Sequence, residues 1–181
     1  VHHDIRVNVL ESQCGVNDTA PSWVDSYLRP RSCRVCINNS SSTSRTLQCS
    51  VPQGSCLGPW LYLTYAGTLF DVIPPSISVY GFADDHTANK RFRPKSSSVE
   101  LNAINELDQC AITINMWMNE NKLKMNTSKK ELIMFVSACQ LNKCNTNQIN
   151  IAGDTVDSQC FIRYVGAFLE KSFQRKYKAK M

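Results

Sequence analysis

From Ser97 onward the chain carries apolar residues at Ile104, Leu107, Ala111, Ile114 and Met118, in steps of three and four. That spacing lines them along one side of an α-helix, and Ser97 with Glu100 fits a capping box that opens it. A helix with a single apolar stripe draws most of its stability from what it packs against, so the rest of the chain must supply a layer. A length of 181 residues, 43% apolar and 19% charged, provides enough material for that core. The composition is globular, and one domain is the natural organisation.

The remaining pattern supplies both helices and paired strands. Asp4 is placed to cap a short helix carrying Ile5, Val9 and Leu10, which Gly15 ends. A second helix over residues 21–28 puts Trp23 and Tyr27 on its inner side, with Pro30 beyond it. "CRVCIN" and "RTLQCS" read as strands separated by a polar loop, residues 38–44. Leu57, Leu61, Tyr65 and Leu69 recur every four residues, which predicts a helix after Gly54 with Pro59 in its first turn. Residues 132–136 read as a short apolar strand, "INIAGDTV" as a hairpin turning at Gly153-Asp154, and "FIRYVGAFLE" as one final strand. The strands fall mostly in adjacent hairpins, so the fold class is α+β, with helices on one face of a largely antiparallel sheet.

One hairpin is chemically unusual. In "SVYGFADDHTAN" alternation places Ile77, Val79, Gly81 and Ala83 on one face and Ser78, Tyr80, Phe82 and Asp84 on the other. Asp84-Asp85 then falls where the strand ends and turns. Adjacent carboxylates repel, and each raises the other's proton affinity unless a cation holds them. Taken alone, the pair fits a solvated turn and a metal-holding turn equally well.

Charge and cysteines narrow the partners. Twenty Lys and Arg against fifteen Asp and Glu give +5, an excess compatible with a polyanion, and "NKRFRPKSSS" concentrates part of it. No apolar run approaches membrane-spanning length, and the opening Val-His-His-Asp has no signal-peptide character. The first residue is Val1 rather than Met, which reads as a fragment of something longer. Nine cysteines are scattered, and Cys33-Arg-Val-Cys36 has no second pair of matching spacing. If Cys33 and Cys36 share one strand they point to opposite faces, so the nine are expected to be free thiols, buried or half-buried, in a reducing compartment.

Four segments in order resemble the reverse transcriptase of non-LTR, LINE-type retrotransposons, and the likeness covers nearly the whole chain. "WVDSYLRPRSCRVCINNSSSTSRTLQCSVPQGSCLGP" resembles the stretch through that family's Pro-Gln-Gly-Ser motif, and "YGFADDH" is similar to its Phe/Tyr-Ala-Asp-Asp catalytic turn. "MWMNENKLKMNTSKKELIMF" resembles the motif D segment, and "IRYVGAFLE" the Tyr-Leu-Gly primer-grip strand with Val165 in place of Leu. Each alone is a weak match, but four at natural spacings are specific.

The resemblance implies a polymerase palm, an antiparallel sheet backed by helices, with residues 1–181 a partial domain running from just after motif A through the primer grip. It implies nucleotidyl transfer assisted by two Mg²⁺ ions, with RNA template, DNA primer and deoxynucleoside triphosphates as partners, no membrane, and missing upstream and downstream parts of the polyprotein. Asp84 becomes a direct metal ligand, and Asp85 helps hold the metals and the primer end. Gln53, Gly54, Phe82 and Ala83 lie against nucleotide or template, and Tyr164, Val165 and Gly166 form the primer grip. Lys129 matches the motif D lysine that protonates pyrophosphate, with Lys130 as its neighbouring alternative. The implied location is intracellular, nuclear and cytoplasmic in a ribonucleoprotein.

There are departures. The motif A aspartate falls before residue 1 or is lacking, and Asp4 matches a capping position rather than a ligand. His86 stands where the family usually has Thr, and "YAGTLF" replaces a Tyr-Ile-Asn-Asp-Leu stretch. These changes, with the missing fingers and thumb, fit a truncated copy that is inactive by itself. A non-catalytic relic that binds nucleic acid, or a structural module, is the alternative.

Overall fold

The computed structural model describes residues 2–52, 54–137, 148–151, 153–164 and 167–171. The chain divides into two compact units, Val1–Val72 with Trp117–Lys124, and Ile73–Met116 with Met125–Met181.

In the first unit α1 (His3–Ser12) and α2 (Thr19–Leu28) pack through Leu10, Val24 and Leu28, and Leu61 of α3 (Gly58–Gly67) completes the cluster. Asp4 does not cap α1: His2 occupies that position, and Asp4 lies in the first turn. There it faces the positive end of the helix dipole and accepts a 2.7 Å bond from Arg29 Nη1, which holds its pKa below the ordinary value. Trp23 is also not on the inner side of α2, being 57% exposed. Pro21, Val24 and Leu28 fill the buried stripe, while Trp23 stacks on Tyr27 along the flank with ring centroids 6.0 Å apart. Pro21 costs no helical hydrogen bond because first-turn N–H groups have no partner within the helix.

Residues 38–44 are more ordered than a loop. β1 (Ser32–Cys33) pairs with β4 (Arg45–Thr46), and inside them β2 (Cys36–Ile37) pairs with β3 (Ser40–Ser41). Asn38 and Asn39, at φ +46° and +64°, make the two-residue turn between Ile37 and Ser40, a conformation asparagine tolerates well. Cys33 and Cys36 therefore belong to different strands.

The predicted four-residue spacing does form α3 and a 3-10 turn (Thr68–Val72), with Leu61, Tyr65 and Leu69 fully buried. Tyr65 donates its hydroxyl to Asn121 O, and Trp117 Nε1 donates to Thr68 Oγ1 at 3.1 Å. Arg6 of α1 is fully buried beside them. Its Nη1 donates weakly to Thr64 Oγ1 at 3.4 Å and its guanidinium lies 5.6 Å from the Tyr65 ring centre. Nε and Nη2 have no hydrogen-bond partner among the described residues, and burial pushes the Arg6 pKa down to about 10.

The second unit holds three hairpins and most of α4 (Ser97–Glu120). β5 (Ser78–Phe82) pairs with β6 (Asp85–Asn89), β7 (Gln148–Ile151) with β8 (Asp154–Asp157), and β9 (Phe161–Tyr164) with β10 (Ala167–Glu170). The fold class is α+β as expected, and every strand pair is antiparallel. Among the described residues the strands form five separate two-stranded ladders rather than one hydrogen-bonded sheet.

Several boundaries differ from the sequence reading. α4 begins at Ser97, and the Val99 and Glu100 amides reach back to Ser96 O, so Ser97 is inside the helix instead of capping it. The deepest positions on α4 are Glu100, Ala103, Cys110, Ile114 and Trp117, whereas Ile104, Leu107, Ala111 and Met118 are half-buried. Residues 132–136 form no continuous strand. Leu132 bridges Ser158, and Val136 donates to Lys171 O at 3.5 Å, so pairing is met only at single points. The expected final strand is a hairpin, with Tyr164 opposite Ala167.

Candidate functional site

β5 and β6 are in register from Ser78↔Asn89 to Phe82↔Asp85, which leaves Ala83 and Asp84 as a two-residue loop. Ala83 has φ +52°, where an L-residue crowds its own backbone and glycine is favoured. The strand ends one residue earlier than alternation suggested. Asp84 is thus in the loop, while Asp85 shares a face with Phe82, its cross-strand partner, and with Tyr80. Phe82 is 63% exposed, and Ala83, Asp84 and Asp85 are exposed as well. Among the described residues no hydrogen bond or ion pair engages either carboxylate. His86 Nδ1 lies 3.3 Å from the Asp84 carbonyl oxygen, which ties the loop to the start of β6.

The base of the hairpin is fastened to α4 by residues that the sequence reading passed over. Glu106 Oε2 accepts from Ser76 Oγ at 2.5 Å and pairs with Lys90 Nζ at 2.5 Å, and Lys90 also donates to Ser76 O at 3.3 Å. Ser76 precedes β5 and Lys90 follows β6, so one carboxylate holds both ends of the ribbon. Those two bonds, with the Lys90 charge, hold the Glu106 pKa below its ordinary value.

Phe82, Ala83, Asp84 and Asp85 come together on this turn, and the other candidates lie elsewhere. Lys129 ends a 3-10 turn (Thr127–Lys129) and is exposed. Its neighbour Lys130 is committed: Nζ donates to Ile151 O at 2.8 Å and to Asp154 Oδ2 at 2.7 Å, with the side chain 6% exposed. Tyr164 closes β9 half-buried. No hydrogen bond or ion pair among the described residues joins Lys129 or Tyr164 to the turn. Gly54 is exposed in the other unit at φ +80°, with nothing within 4 Å of where a Cβ would stand, and lines an open groove with Val51, Pro52, Ser55, Cys56, Gly58 and Pro59. Gln53, Val165 and Gly166 lie outside the described residues.

The donor set at the turn suits Mg²⁺ in kind, being hard carboxylate oxygens on a short strand-to-strand connection. In number it is incomplete, since no group of three or more His, Cys, Asp or Glu among the described residues is placed to hold a metal. The seven described cysteines are all free, but of these only Cys110 is buried; the other six are exposed, not buried or half-buried as expected, because they lie on short surface strands and loops. No helix among the described residues is long and apolar enough to cross a membrane.

The sequence model of the family described as "Reverse transcriptase (RNA-dependent DNA polymerase)" matches residues 1–169. The "Probable RNA-directed DNA polymerase from transposon X-element" of Drosophila melanogaster is 28% identical over 176 residues, 92% of this chain and 18% of that protein. The "Probable RNA-directed DNA polymerase from transposon BS" of the same organism is 29% identical over 157 residues, 81% of this chain and 16% of that protein. The chain thus spans less than a fifth of the length of these relatives. With the two aspartates on a hairpin turn inside the matched span, the chain belongs to the reverse transcriptase (RNA-dependent DNA polymerase) family.

Proposed function

We propose that this chain is palm-type polymerase structure from a non-LTR retrotransposon, and that it contributes Asp84 and Asp85 to RNA-directed DNA synthesis. The observation that carries the reading is the β5–β6 turn, where two exposed carboxylates without partners among the described residues sit in the matched span. Mg²⁺ bound there would stabilise the attacking and leaving oxygens of nucleotidyl transfer. Asp84, on the loop, is the direct ligand; Asp85, the first residue of β6, helps hold the metals and the primer end. Phe82, beside Asp85 on the same face, offers a flat apolar surface to the primer end or the incoming nucleotide. The Gly54 backbone, open where a side chain would be, lets a template strand approach closely.

Lys129 is the proton donor to pyrophosphate, because Lys130 is already spent on Asp154 and the Ile151 carbonyl. Tyr164, with Val165 and Gly166, steadies the primer. RNA template, DNA primer and deoxynucleoside triphosphates are the partners, within an intracellular ribonucleoprotein. Two carboxylates do not fix two ions for in-line displacement, and among the described residues no third joins them, so the reading calls for a further carboxylate from a longer chain of the same element.

The test is primer extension on an RNA template by this chain and by a longer chain of the same element. The expected result is synthesis by the longer chain alone, abolished by Asp84→Asn. Synthesis that survives Asp84→Asn sinks the reading. Nucleic-acid binding without synthesis in either chain would establish the non-catalytic relic instead.

A further inference from the structure

The segment between β6 and α4, residues 90–96, alternates in exposure. Lys90, Phe92 and Pro94 are half-buried, whereas Arg91, Arg93 and Lys95 are exposed. Lys90 is fastened to Glu106, and the Lys95 amide donates to Arg93 O at 2.8 Å around Pro94. Three cations two residues apart are thereby held toward solvent. None of their side chains has an ion-pair or hydrogen-bond partner among the described residues. The sequence has no acid between Asp85 and Glu100, and Glu100 is buried. Among the described residues no carboxylate pairs with the strip.

We propose that Arg91, Arg93 and Lys95 form a contact strip for the phosphate backbone of a nucleic-acid strand, separate from the Asp84-Asp85 turn. The proposal rests on the reading that this chain handles nucleic acid, and adds where the backbone is gripped. β6 is five residues long, so the strip starts about 17 Å along the ribbon from the turn. It is therefore outside any metal site at Asp84. Phe92 between the cations is half-buried, so the exposed side chains of the strip are its charged ones. Protein interfaces gather around a buried apolar core, and membrane-surface segments insert apolar side chains. Phosphate contacts need neither and carry no sequence information.

The experiment is fluorescence anisotropy of the full chain with a labelled RNA–DNA duplex across a salt series. The logarithm of affinity falls linearly with the logarithm of salt, by about 0.9 per phosphate neutralised in duplex DNA. The triple variant Arg91→Gln/Arg93→Gln/Lys95→Gln is expected to reduce that slope by about 2–3. Arg91→Lys/Arg93→Lys should keep it. A charge-matched control on other exposed cations, Arg34→Gln/Arg45→Gln/Lys124→Gln, should change it by less than about 1.

Equal loss in the control overturns the proposal, as does absence of binding by the unmodified chain. Equal salt-sensitive binding of poly-glutamate, or of vesicles rich in phosphatidylserine, also overturns it. Asp84→Asn should leave the slope intact. Synthesis by a longer chain that survives Asp84→Asn, with the slope reduced in the triple variant, therefore defeats the polymerase reading alone; synthesis abolished by Asp84→Asn, with the slope unchanged in the triple variant, defeats the strip alone.

Discussion

Glu106 and Lys90 are joined by a 2.5 Å ion pair that closes the base of the hairpin presenting Asp84. The same Glu106 oxygen accepts from Ser76 at the opposite strand's entry, so a change at this one residue frees both strands from α4. Exposed ion pairs contribute little to global stability, so the expected consequence is local. Glu106→Gln should increase hydrogen exchange of the β5 and β6 amides at neutral pH and leave the α4 amides nearly unchanged.

The pH dependence has a defined sign. The folded pKa of Glu106 lies below its unfolded value, so the unfolded state binds the proton more tightly. The stabilisation is complete above the ordinary glutamate range and is lost as pH falls through the folded pKa. Hairpin protection in the unmodified chain should fade on acidification below about pH 4.5, and Glu106→Gln should remove that component of the fade. Identical acid profiles for the two proteins would count against the clamp.

Arg6 makes an opposite case, a charge that costs stability. It is fully buried with two donor nitrogens unpaired among the described residues, and the aromatic contact with Tyr65 offsets only part of the desolvation. Arg6→Met keeps the unbranched stem, removes the charge and leaves no new orphan except the weak acceptor at Thr64. Urea denaturation should show a higher midpoint at unchanged slope, with a gain of about 1–3 kcal/mol. A loss of stability would mean that the guanidinium has found acceptors.

The turn and the long helix were legible in the sequence because each is encoded locally: period-two alternation into Asp84, and a three-four repeat through α4. What escaped depends on pairings remote in the chain. Lys90 and Glu106 are sixteen residues apart, and nothing in either segment names the other. Trp23 was misplaced for a related reason, since hydrophobicity alone does not say which of Trp23 and Val24 meets Leu10. The Asn38-Asn39 turn had a local signal, two residues at ease at positive φ, hidden in a polar run that reads as a loop. Single-residue bridges at Leu132 and Val136 leave no periodic trace at all.

Ala83 stores strain in the loop itself. At φ +52° an L-residue pays about 1–2 kcal/mol relative to glycine, and glycine pays about 0.5–1 kcal/mol more in chain entropy on folding. Ala83→Gly should therefore raise stability by about 0–1 kcal/mol, and Ala83→Val should lower it by more than about 1 kcal/mol. Parallel urea melts distinguish these outcomes. Equal stability of all three would show that the loop relaxes to negative φ.

Thiol reactivity should sort by burial. Cys110 is fully buried on α4, and burial raises its pKa, so its thiolate is both scarce and shielded. Cys14, Cys33, Cys36, Cys49, Cys56 and Cys160 are exposed and free. Alkylation of the native chain followed by peptide mapping should label those six well before Cys110. Denaturing, non-reducing titration should recover nine thiols, the full complement in the sequence. Early labelling of Cys110 would place that part of α4 in the open.

If Lys129 is the proton donor as proposed, Lys129 and Lys130 separate catalysis from architecture. Lys130 Nζ is bound to Asp154 and to the Ile151 carbonyl with 6% of the side chain exposed, so Lys130→Ala strands an acceptor and a carboxylate. Losing hydrogen bonds to a charged group costs about 1–3 kcal/mol, and the β7–β8 hairpin should exchange faster. Lys129 is exposed with no such bonds among the described residues, so Lys129→Ala should change stability by less than about 0.5 kcal/mol. In a longer, active chain the ranking should invert. Loss of a proton donor costs about 10²-fold or more in rate, and that loss belongs to Lys129→Ala, with the alkaline limb of the pH–rate profile altered. Lys130→Ala should lower activity only as far as the folded fraction falls, and cooling should recover it. If Lys130→Ala abolishes synthesis at full folding while Lys129→Ala does not, the proton donor is Lys130, and its bond to Asp154 must break in each cycle.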